Sequence, residues 1–263
     1  MNTFTGTLEG RLRERRAAGH KLLVPYITGG YPVDDWTRLI EGMADAGADA
    51  IEIGVPFSDP VMDGPTIQES SALALELGAT PASVLAGVAT VDAGIPMAVM
   101  TYYNIAFHMG HHRFAASLKE AGVSAAILPD LPLEESDDWC RDAAEAGIET
   151  VMLAAPTGDD ARLARVCERS TGFVYGVGLV GITGERAELA DSATKMAMRL
   201  KATTDKPVLI GIGVSNAAQA AEVCEVADGV VVGSAVIRRI LDTGRVDAAI
   251  EFVAELRAGL DAG

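Results

Sequence analysis

Along most of the chain, short apolar runs alternate with longer stretches in which apolar positions recur every three or four residues. Runs of the first kind read as buried strands and stretches of the second as helices packed on one face. Strands are predicted over 22–27, 50–54, 97–101, 125–128, 150–154, 172–175, 207–210 and 229–232. Helices are predicted over 34–47, 82–93, 111–121, 134–146, 159–168, 190–203, 216–226 and 234–241, with a last one near 246–260. Asp34 and Asp159 stand where helices would be capped, and Gly47, Gly122 and Gly147 where they would stop. Ahead of the first strand, Leu8 and Leu12 lie four apart among charges, which predicts a short helix over 7–17 able to plug one end of a barrel. Eight strands, each followed by a helix, predict a (β/α)8 TIM barrel, an α/β fold with an extra N-terminal helix. An open doubly wound sheet is the competing architecture, but no Gly-x-Gly-x-x-Gly follows the first strand.

Composition narrows this picture. With 263 residues, 49% of them hydrophobic, the chain suits a single barrel domain over residues 1–263. No apolar run approaches the ~20 residues of a membrane span, and the N-terminus lacks a signal-peptide core, so a soluble cytoplasmic protein is expected. Cys140, Cys167 and Cys224 are odd in number and widely spaced, a pattern of plain thiols rather than of disulfides or a metal site. A net charge of −16 opposes nucleic acid and anionic membranes. It also means that an anionic substrate must be held by local dipoles.

Chemistry points first to Glu52. In an extended segment Ile51 and Ile53 share one face, while Glu52 and Gly54 share the other, which puts a carboxylate toward an interior. Burying it costs several kcal/mol, so such an acid is paired for structure or used. Asp63 follows in the Pro- and Gly-punctuated loop behind the strand, and the two acids are the candidate catalytic pair. Barrel chemistry sits at the C-terminal ends of the strands. There, Gly211-Ile212-Gly213 and Gly233-Ser234 each run into a helix start and form candidate phosphate cradles. The glycine-rich segment from Gly176 to Arg186, with Thr183 and Gly184, has the composition of a lid. Tyr26, Tyr102, Tyr103 and Tyr175 end strands; three of these positions can point over the mouth and, with Ile67, Met100 and Ile212, line a slot for a flat ring. Asp130 is read as orienting its neighbours or facing a partner. The four histidines show no ligand spacing, so no metal is assigned and they are expected to be solvated.

Several motifs together resemble the tryptophan synthase α subunit family across nearly the whole chain. They are Val24-Pro25-Tyr26-Ile27-Thr28, the run Ile51 to Pro60 continued by Asp63 to Gln68, Thr101-Tyr102-Tyr103-Asn104, Pro129-Asp130-Leu131-Pro132, and Gly233-Ser234. The resemblance implies a barrel lyase that cleaves indole-3-glycerol phosphate to indole and glyceraldehyde 3-phosphate in tryptophan biosynthesis, with no metal or organic cofactor. It implies that Glu52 shuttles the protons and that Asp63 accepts the indole N–H. Phosphate would be held by Gly184, Gly211, Gly213, Gly233 and Ser234, the glycerol chain by Tyr175, and the ring by Tyr26, Ile67, Met100 and Tyr102. The implied partner is a β subunit in an α2β2 complex.

The chain departs from the family pattern at Tyr31, Leu73, Ile105, Ser124 and Gly178-Leu179, positions in the lid and in loops that face the partner. Asp59 and Pro60 of the partner-facing loop are kept. These departures motivate a free-standing lyase that releases indole to another pathway; the other readings beside the leading one are a decayed allosteric partner or phosphate-ligand binder and a different phosphate-barrel enzyme such as a sugar-phosphate isomerase.

Overall fold

The computed structural model describes residues 6–178, 186–211 and 213–262. Eight parallel strands close into a barrel: β1 (Leu22–Thr28), β2 (Ile51–Gly54), β3 (Met97–Met100), β4 (Ala125–Ile127), β5 (Glu149–Ala154), β6 (Val174–Val177), β7 (Val208–Gly211) and β8 (Gly229–Val232). Each pairs with the next, and β8 returns to β1 with Leu22 beside Gly229 and Val24 beside Val231. The helices are α1 (Thr7–Ala17), α2 (Trp36–Asp45), α3 (Pro65–Glu76), α4 (Pro81–Val88), α5 (Tyr103–Met109), α6 (His111–Glu120), α7 (Asp137–Ala146), α8 (Asp160–Arg169), α9 (Arg186–Lys201), α10 (Ala217–Cys224), α11 (Ser234–Thr243) and α12 (Val246–Asp261). None of the described helices is long and apolar enough to cross a membrane by itself.

The strands lie within two residues of the predicted spans at either end. Strand six starts at Val174 rather than 172 because Gly172 is left-handed (φ +82°) and still belongs to the turn. Two helices, α3 and α5, have no counterpart among the predicted elements. The buried side of α3 carries Ser70, Ser71 and Ala74 beside Ile67, so its apolar period is mostly erased, and α5 is too short to show one. Asp159 caps α8 as expected, accepting from the Arg162 amide at 2.7 Å. The residue before α2 is Asp35 rather than Asp34, and its side chain makes no cap bond.

Two apolar layers follow from strand alternation. Ile51, Ile53 and Val99 face outward into the layer between barrel and helices. Leu22, Val24, Ala50, Ala98, Ala125, Val151, Phe173, Leu209 and Val231 point inward, and Ala50 just before β2, Ala98 on β3 and Ala125 on β4 leave room for Leu8 and Leu12 of α1. The N-terminal helix therefore plugs the barrel floor, as its sequence predicts. Its amides at Leu8 and Glu9 donate to the Glu149 carboxylate at 2.7 and 2.9 Å, so a buried acid caps its positive end. Around this floor Arg15 bonds Asp49 at 2.7 Å, and both Arg16 and Lys201 pair with Asp228.

Candidate active site

At the opposite end, the mouth, Glu52 sits in β2 beside Tyr26 of β1 and Ala98 of β3. Its side chain faces inward because Ile51 and Ile53 take the outer layer, and it is 1% exposed. Among the described residues its Oε2 has no hydrogen-bond partner. Burial pushes the carboxyl up to about 8, and the nearby Asp63 charge adds to the shift. Asp63 lies in the loop after β2, partly buried. Burial raises its pKa too, while a hydrogen bond from Tyr102 opposes that rise. The two acids thus interact at one mouth, with the more deeply buried one held protonated at neutral pH.

Three phenols surround them. Tyr26, Tyr102 and Tyr175 are all pushed above the ordinary phenol range, by burial first and then by neighbouring acids or phenols, so they remain neutral donors. Glycines make room for two of these rings. A Cβ on Gly54 would overlap the Tyr26 hydroxyl, and one on Gly211 would overlap the Tyr175 ring. Tyr102 is buried, and its hydroxyl donates to Asp63 Oδ2 at 3.2 Å while accepting from the Met62 amide at 2.9 Å. Ile67 is buried at the start of α3, and Met100 is half-buried at the end of β3.

The cradle loops differ from each other. At the head of α11, Gly233 makes no side-chain cap bond, which leaves the first-turn amides of that helix open to an anion. At α10, Asn216 accepts from the Gln219 amide at 3.0 Å, so part of that helix end is already satisfied. Gly213 is left-handed at φ +46° and exposed. Thr183, Gly184 and Ile212, and with them most of the predicted lid, lie outside the described residues.

Two polar residues have roles the sequence leaves open. Asp130 accepts from the Tyr103 amide at 2.8 Å and so caps α5. His111 is not solvated as expected: it is half-buried, 2.9 Å from the Tyr103 hydroxyl and edge-on to Trp139. Among the described residues no three His, Cys, Asp or Glu side chains come close enough to hold a metal.

The sequence profile of the tryptophan synthase alpha chain matches residues 12–259. The chain belongs to this family. Tryptophan synthase alpha chains of Streptomyces avermitilis and Thermobifida fusca are each 44% identical to it over 97% of its length, covering 94% and 98% of those proteins. Among solved structures, tryptophan synthase from Mycobacterium tuberculosis superposes with a TM-score of 0.91 at 36% identity, over 98% of this chain and all of that one. The tryptophan synthase alpha subunit of Legionella pneumophila gives 0.89 at 30% identity, over 98% of this chain and all of that one. As a tryptophan synthase alpha chain the protein is a lyase of tryptophan biosynthesis that cleaves indole-3-glycerol phosphate. The family's α chains normally work in complex with a β subunit.

Gly54 offers a direct check on how tightly the alpha-chain mouth is built. Gly54→Ala is expected to push the Tyr26 ring out of place and to cut kcat/KM for indole-3-glycerol phosphate by about tenfold or more. Gly64→Ala, where an added Cβ meets nothing within 4 Å, should leave it unchanged. Equal rates in the two variants would refute the crowding.

Proposed function

We propose that Glu52 is the proton shuttle and Asp63 the charge stabiliser of the cleavage. The observation that carries this is a contrast between two buried glutamates. Glu149, at the floor, is satisfied by two backbone amides, whereas Glu52, at the mouth, keeps an unpartnered carboxyl oxygen beside a second acid. A carboxyl with a pKa of about 8 is protonated at neutral pH and can give its proton to C3 of the indole ring. Positive charge then develops on the ring nitrogen, whose N–H donates to the Asp63 carboxylate. The Glu52 carboxylate so formed removes the proton of the hydroxyl on the adjacent side-chain carbon. As the C–O bond becomes a carbonyl, the carbon–carbon bond breaks and its electron pair returns to the ring. Indole and glyceraldehyde 3-phosphate result, and Glu52 is again protonated.

Phosphate anchors in this reading at the open head of α11, through Gly233 and Ser234, with Gly211 and Gly213 beside it; Thr183, Gly184 and Ile212 complete the assignment from residues outside the described set. Tyr175 lines the glycerol chain, and Tyr26, Ile67, Met100 and Tyr102 the ring. Asp63→Asn is expected to lower kcat by about a hundredfold or more in an indole-release assay. Unchanged turnover would remove Asp63 from the mechanism.

We also propose that this chain docks a β subunit as an α2β2 complex, through the rim beside Asp63. Val61 and Met62 are 81% and 56% exposed there, and Phe107, on the helix that begins just after Tyr102, is 68% exposed; docking would cover such apolar side chains. A free-standing lyase is the alternative, favoured by the altered positions Tyr31, Leu73 and Ile105. Titrating a β subunit into the indole-release assay separates the two: docking predicts a rise in kcat that saturates. We further propose that residues 1–263 form one barrel domain that acts in the cytoplasm.

A further inference from the structure

We propose that Tyr102 is a positioning residue for Asp63, its hydroxyl holding the carboxylate and the loop behind β2 in place rather than merely lining the ring slot. The inference rests on the assignment of Asp63 as the group that meets the indole nitrogen. Asp63 lies on a loop with little apolar anchorage, because Val61 and Met62 just before it are exposed. Its backbone is tied locally: the amide donates to the Pro60 carbonyl at 3.1 Å and the carbonyl accepts from Gln68 Nε2 at 2.8 Å. Those bonds fix the main chain and leave the carboxylate free to rotate. Among the described residues the hydrogen bond to that carboxylate comes from Tyr102, at 3.2 Å.

Tyr102 is itself held at three points. Its ring stacks on Phe57 of the same loop, with centroids 4.8 Å apart and planes 26° from parallel. Its hydroxyl accepts from the Met62 amide, so one oxygen grips the loop backbone and the carboxylate together. It stands at the N-cap of α5, whose first amide, that of Tyr103, is fixed by Asp130 from the loop after β4. The loop after β2 therefore grips the phenol, while the loop after β4 fixes the helix start beside it. A hydrogen bond to a charged acceptor is worth more than a neutral one, and a catalytic carboxylate must be placed to within about 0.5 Å. Tyr102 satisfies both needs. Among the described residues, Glu52, Tyr26 and Tyr175 also interact electrostatically with Asp63.

Tyr102→Phe keeps the ring and its stack on Phe57 and removes only the oxygen. In the indole-release assay it is expected to lower kcat about tenfold while KM changes less than about twofold. In an Asp63→Asn background the same change should cost less than about twofold, because the group it positions is gone. The ascending limb of the kcat–pH profile should move upward in Tyr102→Phe, since a bond that favours ionised Asp63 is lost. Wild-type kcat in Tyr102→Phe, a full tenfold loss repeated in the double variant, or a raised KM with unchanged kcat would each overturn the proposal. If Asp63→Asn alone keeps wild-type turnover, the Asp63 assignment fails instead, and that result is read before the double variant is needed.

Discussion

Replacing Glu52 by glutamine is expected to abolish most indole release, lowering kcat by about 10²–10⁴-fold, while making the folded protein more stable at alkaline pH. The loss follows because glutamine neither gives a proton to the ring carbon nor takes one from the hydroxyl. The gain follows from linkage. The Glu52 carboxyl titrates near 8 when folded and at the ordinary 4.5 when unfolded. Between those values the native state binds the proton that the unfolded chain has released, so stability falls as pH rises through the window. Below about 4.5 the contribution is fully present, and above about 8 it has been lost. Since each pKa unit corresponds to about 1.4 kcal/mol, the change is on the order of a few kcal/mol. A glutamine side chain carries no such charge at any pH. The urea midpoint of Glu52→Gln should therefore exceed that of the wild type by more at pH 8.5 than at pH 5. Wild-type kcat/KM should also fall as pH rises through about 8, as the acid form is lost. A midpoint difference that does not depend on pH would show that Glu52 is not the desolvated acid of the site.

Asp49→Ala is expected to be the most damaging single change to the fold, costing about 3–5 kcal/mol with little effect on activity at moderate temperature. Asp49 is 1% exposed at the barrel floor. It accepts from Arg15 Nε at 2.7 Å and the Leu23 amide at 2.9 Å, and pairs with Arg257 at 3.4 Å. Removing it leaves a buried amide without its acceptor, takes from the buried Arg257 one of its two carboxylate partners, Asp261 remaining at 2.8 Å, and loosens α1 from the floor. For a chain of this size each kcal/mol shifts Tm by about 2–4 °C, so a fall of about ten degrees is expected in a thermal scan. Glu134→Ala is the comparison. Glu134 pairs with Arg162 at 2.6 Å, but both side chains are nearly half-exposed, and water and salt screen such a pair. Its loss should leave Tm in place. Equal shifts for the two variants would mean that burial does not set the strength of the floor.

The floor and the mouth also show where a chain can be read directly. Ile51 and Ile53 outward with Glu52 inward is a consequence of strand periodicity, legible in four residues and realised as such. The plug helix is equally legible, because Leu8 and Leu12 have nowhere to go except against strands. Phosphate-type cradles after β7 and β8 are marked by glycine, and their inequality is local as well: Asn216 has a side chain that caps its own helix through the Gln219 amide, while Gly233 has none. Glu149 carries no signal at the edge of a predicted strand. Its task depends on α1, 140 residues away at Glu9, and no local pattern records that. Helices α3 and α5 escape the periodicity for a related reason, since Ser70 is buried by a 2.7 Å bond to Thr28 and not by apolarity.

What the sequence by itself determined was the alternation of strands and helices, the closed barrel it implies, the family, and the candidacy of Glu52 and Asp63. Each of these rests on neighbours a few residues apart, where spacing decides which side chains share a face. Tertiary structure alone decided which buried glutamate is satisfied and which is left with a free oxygen, that Tyr102 grips Asp63, and that Asp130 caps the helix beside it. Those are contacts between segments far apart in the chain, and only closing the barrel makes the distances short enough for hydrogen bonds.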